Sequence, residues 1–385
     1  MFRKHMEKYG RYLTILGIAV LVASAGFFVV KDREQKMTEH SQPDREKEMS
    51  KVDTAEEKKI GEYLSITYTT EDFTVESGRM MTFYTYDPVT SELDNKAEIP
   101  FESQYALGVV SLRDEKIYYT KTVGYEGRTV DHLFEYDMTN GMSTMLEEDH
   151  CAYNDMIPVQ DKLLLTTTPV HAIGTAAFDL GMKKFNYLYE MSLNEDGHMD
   201  FPYETEPLVR LNYNYKYGNF VNVYSKEEDH YDPQITTGEK PIKYRIALVD
   251  KDLNITAEYK HLKKSFVDYN VRAACQVSSD CAMVLIEKDL SDDEDSDVEV
   301  KYEFYMINFS EKSCKKVKSP FPRMKYITNF VTSDDGKSYY ISGTCMDGTS
   351  GLYYYDCSKD DVKMILPNSV KGGHVVNFCL IDLDH

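Results

Sequence analysis

A chain of 385 residues is long enough for one large domain or two ordinary ones, with a substantial buried core. Its formal net charge of -21 argues against reading nucleic-acid backbone, which needs a clustered basic face, and against docking of the folded part on anionic lipid. With 31 Tyr and 17 Phe against no Trp, the aromatic side chains suit half-buried pleated strands.

The extreme N-terminus, residues 1–11, is basic, with Arg3, Lys4, Lys8 and Arg11 against Glu7. Next comes the uncharged run "YLTILGIAVLVASAGFFVV", residues 12–30. As a helix it would reach about 28 Å, close to the hydrocarbon thickness of a bilayer. The basic flank predicts a single-pass signal-anchor with the N-terminus in the cytoplasm and the rest outside. "ASA", Ala23 to Ala25, has the small-x-small form of a cleavage site, so removal of the run is the alternative. Phe27, Phe28, Val29 and Val30 extend the apolar run past that point, as a permanent anchor requires. Residues 31–60 are almost wholly polar with interleaved charges, a composition that cannot bury a core and reads as a stalk.

From Gly61 to His385 the character changes to short β segments separated by turn residues. One pattern recurs: a Tyr-rich strand ending in Asp or Asn, a charged turn, then a second apolar run. It is read at 81–93, 131–146, 185–199, 243–259, 303–317 and 351–365, the last being "GLYYYDCSKDDVKMI". Alternating large side chains bury one face of each strand, and the Asp or Asn begins the turn. Ahead of most copies lies another hairpin, at 109–122, 157–168, 276–287 and 330–343.

Each unit is thus about four strands over roughly 47–60 residues, the period of propeller blades. One blade cannot bury both faces, so blades must stack around an axis. The first unit, "EYLSITYTTEDF" onward, lacks an innermost strand, while "GGHVVNFCLIDLDH" supplies one strand and the chain stops. The C-terminal strand is therefore expected to complete the N-terminal blade and close the ring. This predicts an all-β, six-bladed β-propeller. The irregular fourth inner hairpin, "NYKYGNFVNVYSKEED", leaves a distorted blade or a seventh one open.

"TSDDGKSYYISG" resembles the "SPDGK" hairpin of six-bladed TolB-like propellers and their PD40 repeats, with Asp334 where the family usually has Pro. The Tyr-rich strand ending in Asp is similar to the propeller domains of bacterial membrane-anchored proteins. The resemblance covers about residues 61–385 and implies a binding or scaffold module, a type sometimes fused to a hydrolase. Fold alone does not fix function.

The sequence contains no G-x-S-x-G elbow, H-E-x-x-H helix, P-loop or dinucleotide fingerprint. A hydrolase domain of the propeller-peptidase type is not expected after the last blade. In "EKDLSDDEDSDVEV", Asp293, Asp295 and Asp297 are spaced like the first ligands of a calcium loop. Val298 and Phe304 stand where an EF-hand needs Gly and Glu, so a solvated acidic loop is the plainer reading and calcium the alternative. His150 and His171 are expected near the axial mouth, although isolated His more often hydrogen-bond structurally. Tyr clusters such as "NYNYKYGNF" suit stacking on sugars or peptides, or packing between blades. The loop-like insertion 224–241, with Tyr224, His230 and Tyr231, is the expected partner contact. Seven Cys form no zinc spacing; Cys275 with Cys281, and Cys345 with Cys357, flank hairpins and are weighed as cross-strand neighbours against plain core residues.

These features are read as a membrane-tethered, extracytoplasmic binding or scaffold propeller with a protein or carbohydrate ligand and no nucleic acid. The alternatives are a lyase or glycosidase with carboxylates at the axis and a subunit of an envelope complex. No catalytic residue is assigned.

Overall fold

The computed structural model describes residues 61–71, 79–100, 106–125, 128–147, 152–168, 173–193, 199–200, 203–206, 208–226, 244–260, 262, 269–289, 300–333, 336–368 and 372–383. The basic tail, the apolar run 12–30 and the stalk lie outside these residues. Among the described residues no helix is long and apolar enough to cross a membrane.

The strands, in chain order, fall into six antiparallel blades and one small sheet. Blade one holds β1 (Glu62–Glu71), β2 (Arg79–Tyr86) and β3 (Leu93–Pro100). Blade two holds β4 (Gly108–Ser111), β5 (Lys116–Tyr125), β6 (Arg128–Asp137) and β7 (Met142–Met145). Blade three holds β8 (Ala152–Val159), β9 (Lys162–Thr168), β10 (Gly174–Asp179) and β11 (Lys184–Tyr187). The short β12 (Ser192–Leu193) and β13 (Met199–Asp200) pair with each other. Blade four holds β14 (Tyr203–Thr205), β15 (Tyr213–Asn214), β16 (Asn219–Lys226), β17 (Arg245–Asp250) and β18 (Ile255–Lys260). Blade five holds β19 (Tyr269–Ser278), β20 (Cys281–Asp289), β21 (Val300–Asn308) and β22 (Ser313–Val317). Blade six holds β23 (Met324–Thr332), β24 (Ser338–Cys345), β25 (Ser350–Asp356) and β26 (Asp361–Pro367). Finally β27 (His374–Asp382) returns to pair with β1 as the innermost strand of blade one. The chain is a six-bladed β-propeller.

Ring closure follows the expectation closely. Leu64 pairs with Leu380 and Ile66 with Phe378, so the propeller's first and last strands share one buried ladder. These side chains pack with Val331, Tyr340 and Leu352 of blade six. The core as a whole is a set of apolar layers between neighbouring blades, such as Phe83 and Met81 against Val110 and Ile117. Gly108 has to be glycine here, because a Cβ would lie 2.5 Å from the Phe83 ring.

The recurrent turn explains the repeated Asp or Asn. In each blade that residue ends or directly follows the third strand and its side-chain oxygen accepts backbone N–H groups of the turn: Asp87, Asp137, Asp179, Asp250, Asn308 and Asp356. Each turn also contains one residue at positive φ: Ser91, Gly141, Lys183, Leu253, Lys312 and Asp360. A carboxylate or amide that caps its own turn and a left-handed step before the next strand together form a tight hairpin.

One reading needs correction, and two that were left open are resolved. The third copy lies at 174–187, "GTAAFDLGMKKFNY", rather than at 185–199, which spans β11 and the separate small sheet. Small residues replaced Tyr in its third strand, and that hid it. Blade four is distorted, not doubled: its inner strand is broken into β14 and β15, both paired to β16, and no seventh blade forms. The cysteine pairs are not neighbours either. Cys275 faces Met283 and Cys281 faces Ser278, while Cys345 and the residue before Cys357 lie at opposite ends of the β24–β25 ladder. All six described cysteines are free thiols.

Candidate functional site at the axial end

Strand direction defines two ends. Inner strands run from one end, called the far end here, to the other, where the Asp and Asn turns lie. Gly61 enters at the turn end, its carbonyl accepting from Leu383 N at 2.7 Å. The strand ends flanking 227–243 and 290–299 are at the far end. Those stretches hold His230, Tyr231, Asp293, Asp295 and Asp297, which lie outside the described residues, as do His150, Cys151 and His171. Tyr224 is described and is interior: it is buried in β16 with its hydroxyl between Tyr189 and Glu258. Burial and that carboxylate push its phenol well above the usual range. It packs the blade and is not exposed to a partner.

The far half of the inner strands carries a repeated irregularity. The ladder skips one residue at Asn154 in β8, Arg272 in β19, Thr328 in β23 and Val376 in β27. A bulge of this kind re-aims the neighbouring side chains. In three of the four strands the next residue is polar and buried: Asp155, Asn329 and Asn377. Asn377 Nδ2 donates to the Gly108 carbonyl at 3.3 Å, where Thr67 Oγ1 also donates at 2.6 Å, joining blades one and two.

Arg210 ties these parts together. It lies where the inner strand of blade four is broken. Its guanidinium donates from Nη1 to the Asn154 carbonyl and from Nη2 to the Val376 carbonyl at 3.2 Å. Both acceptors are bulged residues, one in blade three and one in blade one. Arg210 Nη1 also lies 3.9 Å from Asp155 Oδ1, and Asp155 Oδ2 accepts from Leu211 N. Asp155 Oδ1 accepts from its own neighbour Met156 N at 2.9 Å. Burial pushes the Asp155 carboxyl up to about 6, against the opposing pull of Arg210 and the two N–H donors. The same burial, with Asp155 nearby, raises the Cys379 thiol well above its ordinary value.

A second buried group lies between blades two and three. Glu147 Oε1 accepts from Leu133 N at 2.9 Å and from Tyr153 OH at 3.0 Å, with His132 Nδ1 at 3.5 Å. Among the described residues no group of three or more His, Cys, Asp or Glu is placed to hold a metal ion.

None of Asp155, Arg210, Asn377, His132 and Glu147 was singled out from the sequence. The available signal was a lone charge inside an apolar run, as in "NDMIPV" and "LVRLNY".

Neither a protein-family model nor a curated protein matches the sequence. Solved structures align with the fold at low sequence identity. TolB from Acinetobacter baumannii aligns at TM-score 0.43 and 10% identity over 83% of this chain and 66% of its own. An oligogalacturonate lyase in complex with manganese aligns at 0.41 and 12%, covering 80% of this chain and 86% of that one. The β-propeller domain of the trilobed protease from Pyrococcus furiosus aligns at 0.43 and 12%, covering 80% of each. The chain thus spans just under two thirds of the TolB length. Fold alone leaves function open.

Proposed function

We propose that this chain is a membrane-tethered, extracytoplasmic propeller that binds a protein or other ligand at its far axial end, acting as a binding or scaffold module of the cell envelope. The carrying observation is the Arg210 brace. One guanidinium links the axial carbonyls of blades one and three, and its own blade is four, so three blades are locked at the axis. A rigid polar end of this kind favours recognition, because little side-chain freedom is left to lose on binding.

An enzymatic reading, a lyase or glycosidase using far-end carboxylates, is favoured by one observation, the buried Glu147 and His132 pair. The two readings separate experimentally. A photo-crosslinker placed at exposed Ala152, in the full chain in its own membrane, is expected to give discrete adducts. The same group at exposed Thr139, at the turn end, is expected to give none. Adducts from Thr139 alone, or from neither position, would overturn the binding reading. Thr139→Cys should also react with a membrane-impermeant maleimide on intact cells, above the wild-type background. Protection there would refute the extracytoplasmic placement.

A further inference from the structure

At the turn end, opposite the far axial end, a groove of about 760 Å³ crosses the seam between blades two and three and reaches blade four. Its walls are turns. Arg113 and Asp114 come from the first turn of blade two, and Gln160 and Asp161 from the first turn of blade three. Leu180 comes from the outer turn of blade three and Lys251 from that of blade four. Arg113 and Gln160 also border a pit of about 10 Å³ beside Ser111, Pro158 and Tyr215, with room for about one water-sized group. The groove falls within the range of about 300–1,000 Å³ common to small-molecule sites.

Gln160 adds an independent observation. It sits at φ 54°, where the first turns of blades four and six use Gly218 and Gly336. Gln160 is exposed, so burial does not offset the strain of keeping a side chain in a conformation that favours glycine.

Charge decides the ligand class. Each cation lining the groove already has a carboxylate. Arg113 Nε lies 3.2 Å from Asp114 Oδ1, Lys116 Nζ 2.5 Å from Glu135 Oε2 and Lys251 Nζ 3.4 Å from Asp252 Oδ2. Asp114 Oδ2 also accepts from Ser111 Oγ at 2.7 Å and from Tyr118 OH at 3.2 Å. An anion would have to displace these carboxylates and would meet Asp161, while a cation would meet three cations. Hydroxyl groups both donate and accept, so they suit fixed charges of both signs without net charge of their own. The ion pairs hold those donors and acceptors in place before a ligand arrives.

We propose that this groove is a second binding site, for a neutral oligosaccharide. Sugar hydroxyls hydrogen-bond to Arg113, Gln160, Asp161 and Lys251, and the apolar face of a sugar ring lies on Leu180. The site does not depend on what the far axial end binds.

Saturation-transfer NMR of the full chain in lipid nanodiscs, with empty nanodiscs subtracted, tests this with maltohexaose, cellohexaose and mannohexaose. Hexaglutamate and hexalysine are the charged comparators. Transfer is expected to at least one of the three sugars and to neither peptide. Asp161→Ala, at an exposed position, should weaken the sugar at least about tenfold. Gln160→Gly should also weaken it, yet melt no lower than wild type because glycine relieves the positive φ. A merely structural role for Gln160 would not give that split. No transfer to any of the sugars, equal or stronger transfer to a charged peptide, or wild-type sugar affinity in both variants overturns the assignment.

Discussion

A carboxyl group facing an arginine ordinarily titrates below its usual range, yet Asp155 is pushed up to about 6. The difference lies in distance and dryness: the guanidinium is 3.9 Å away and spends its best hydrogen bonds on two backbone carbonyls, while the carboxyl is fully enclosed. The extra proton held by the folded state between about pH 4 and 6 adds stability that is lost as pH rises through 6. The upper bound is about 3 kcal/mol, from a displacement of roughly two pH units. Wild type should therefore melt further above Asp155→Asn at about pH 4.5 than at about pH 7.5. Scanning calorimetry of both proteins checks it, and a gap that widens with pH would refute the assignment. A lone Asp or Arg inside an apolar strand is visible in the sequence. That these two meet is not, because 55 residues separate them and only the closed ring brings blades one, three and four to one axis.

The repeated turn is the element that sequence reading recovered best. Asp or Asn at the end of the third strand, followed by a left-handed residue, is local chemistry confined to one hairpin. Equivalent positions carry Gly141 in blade two and Lys183 in blade three, at φ of 72° and 54°. Gly141→Ala should cost about 1 kcal/mol, since a Cβ there is strained by conformation rather than by crowding, its nearest neighbour being 3.5 Å away. Lys183→Gly removes that strain and should be neutral or stabilising by up to about 1 kcal/mol. Urea midpoints for the pair are expected to move in opposite directions, and a loss of stability in both would show that the turns are not equivalent. The third copy was misplaced because "GTAAFD" has the capping Asp but not the bulky side chains that mark its siblings. Broken pairing in blade four was legible only as irregularity.

At the scale of the molecule, closure by β27 is the decisive event. Without it β1 would be an open edge bearing Leu64 and Ile66, whose partners Phe378 and Leu380 are buried. Each such apolar side chain contributes about 1.5–3 kcal/mol by burial, so the strand carries a large part of a typical folding free energy. A chain stopped before His374 should self-associate through the exposed edge and unfold without a cooperative transition. Gel filtration and urea melting read both effects. A monomeric protein with an undiminished transition would show that blade one is stable without its last strand.

Blade period, turn chemistry and the joining of the propeller's first and last strands were determined by the sequence itself, because each depends on residues close together or on one conspicuous missing strand. The axial brace, the interior position of Tyr224 and the broken strand of blade four were decided only by tertiary structure. Contacts at an axis join residues from non-adjacent units, and no periodicity within one unit records which of its side chains will meet another's.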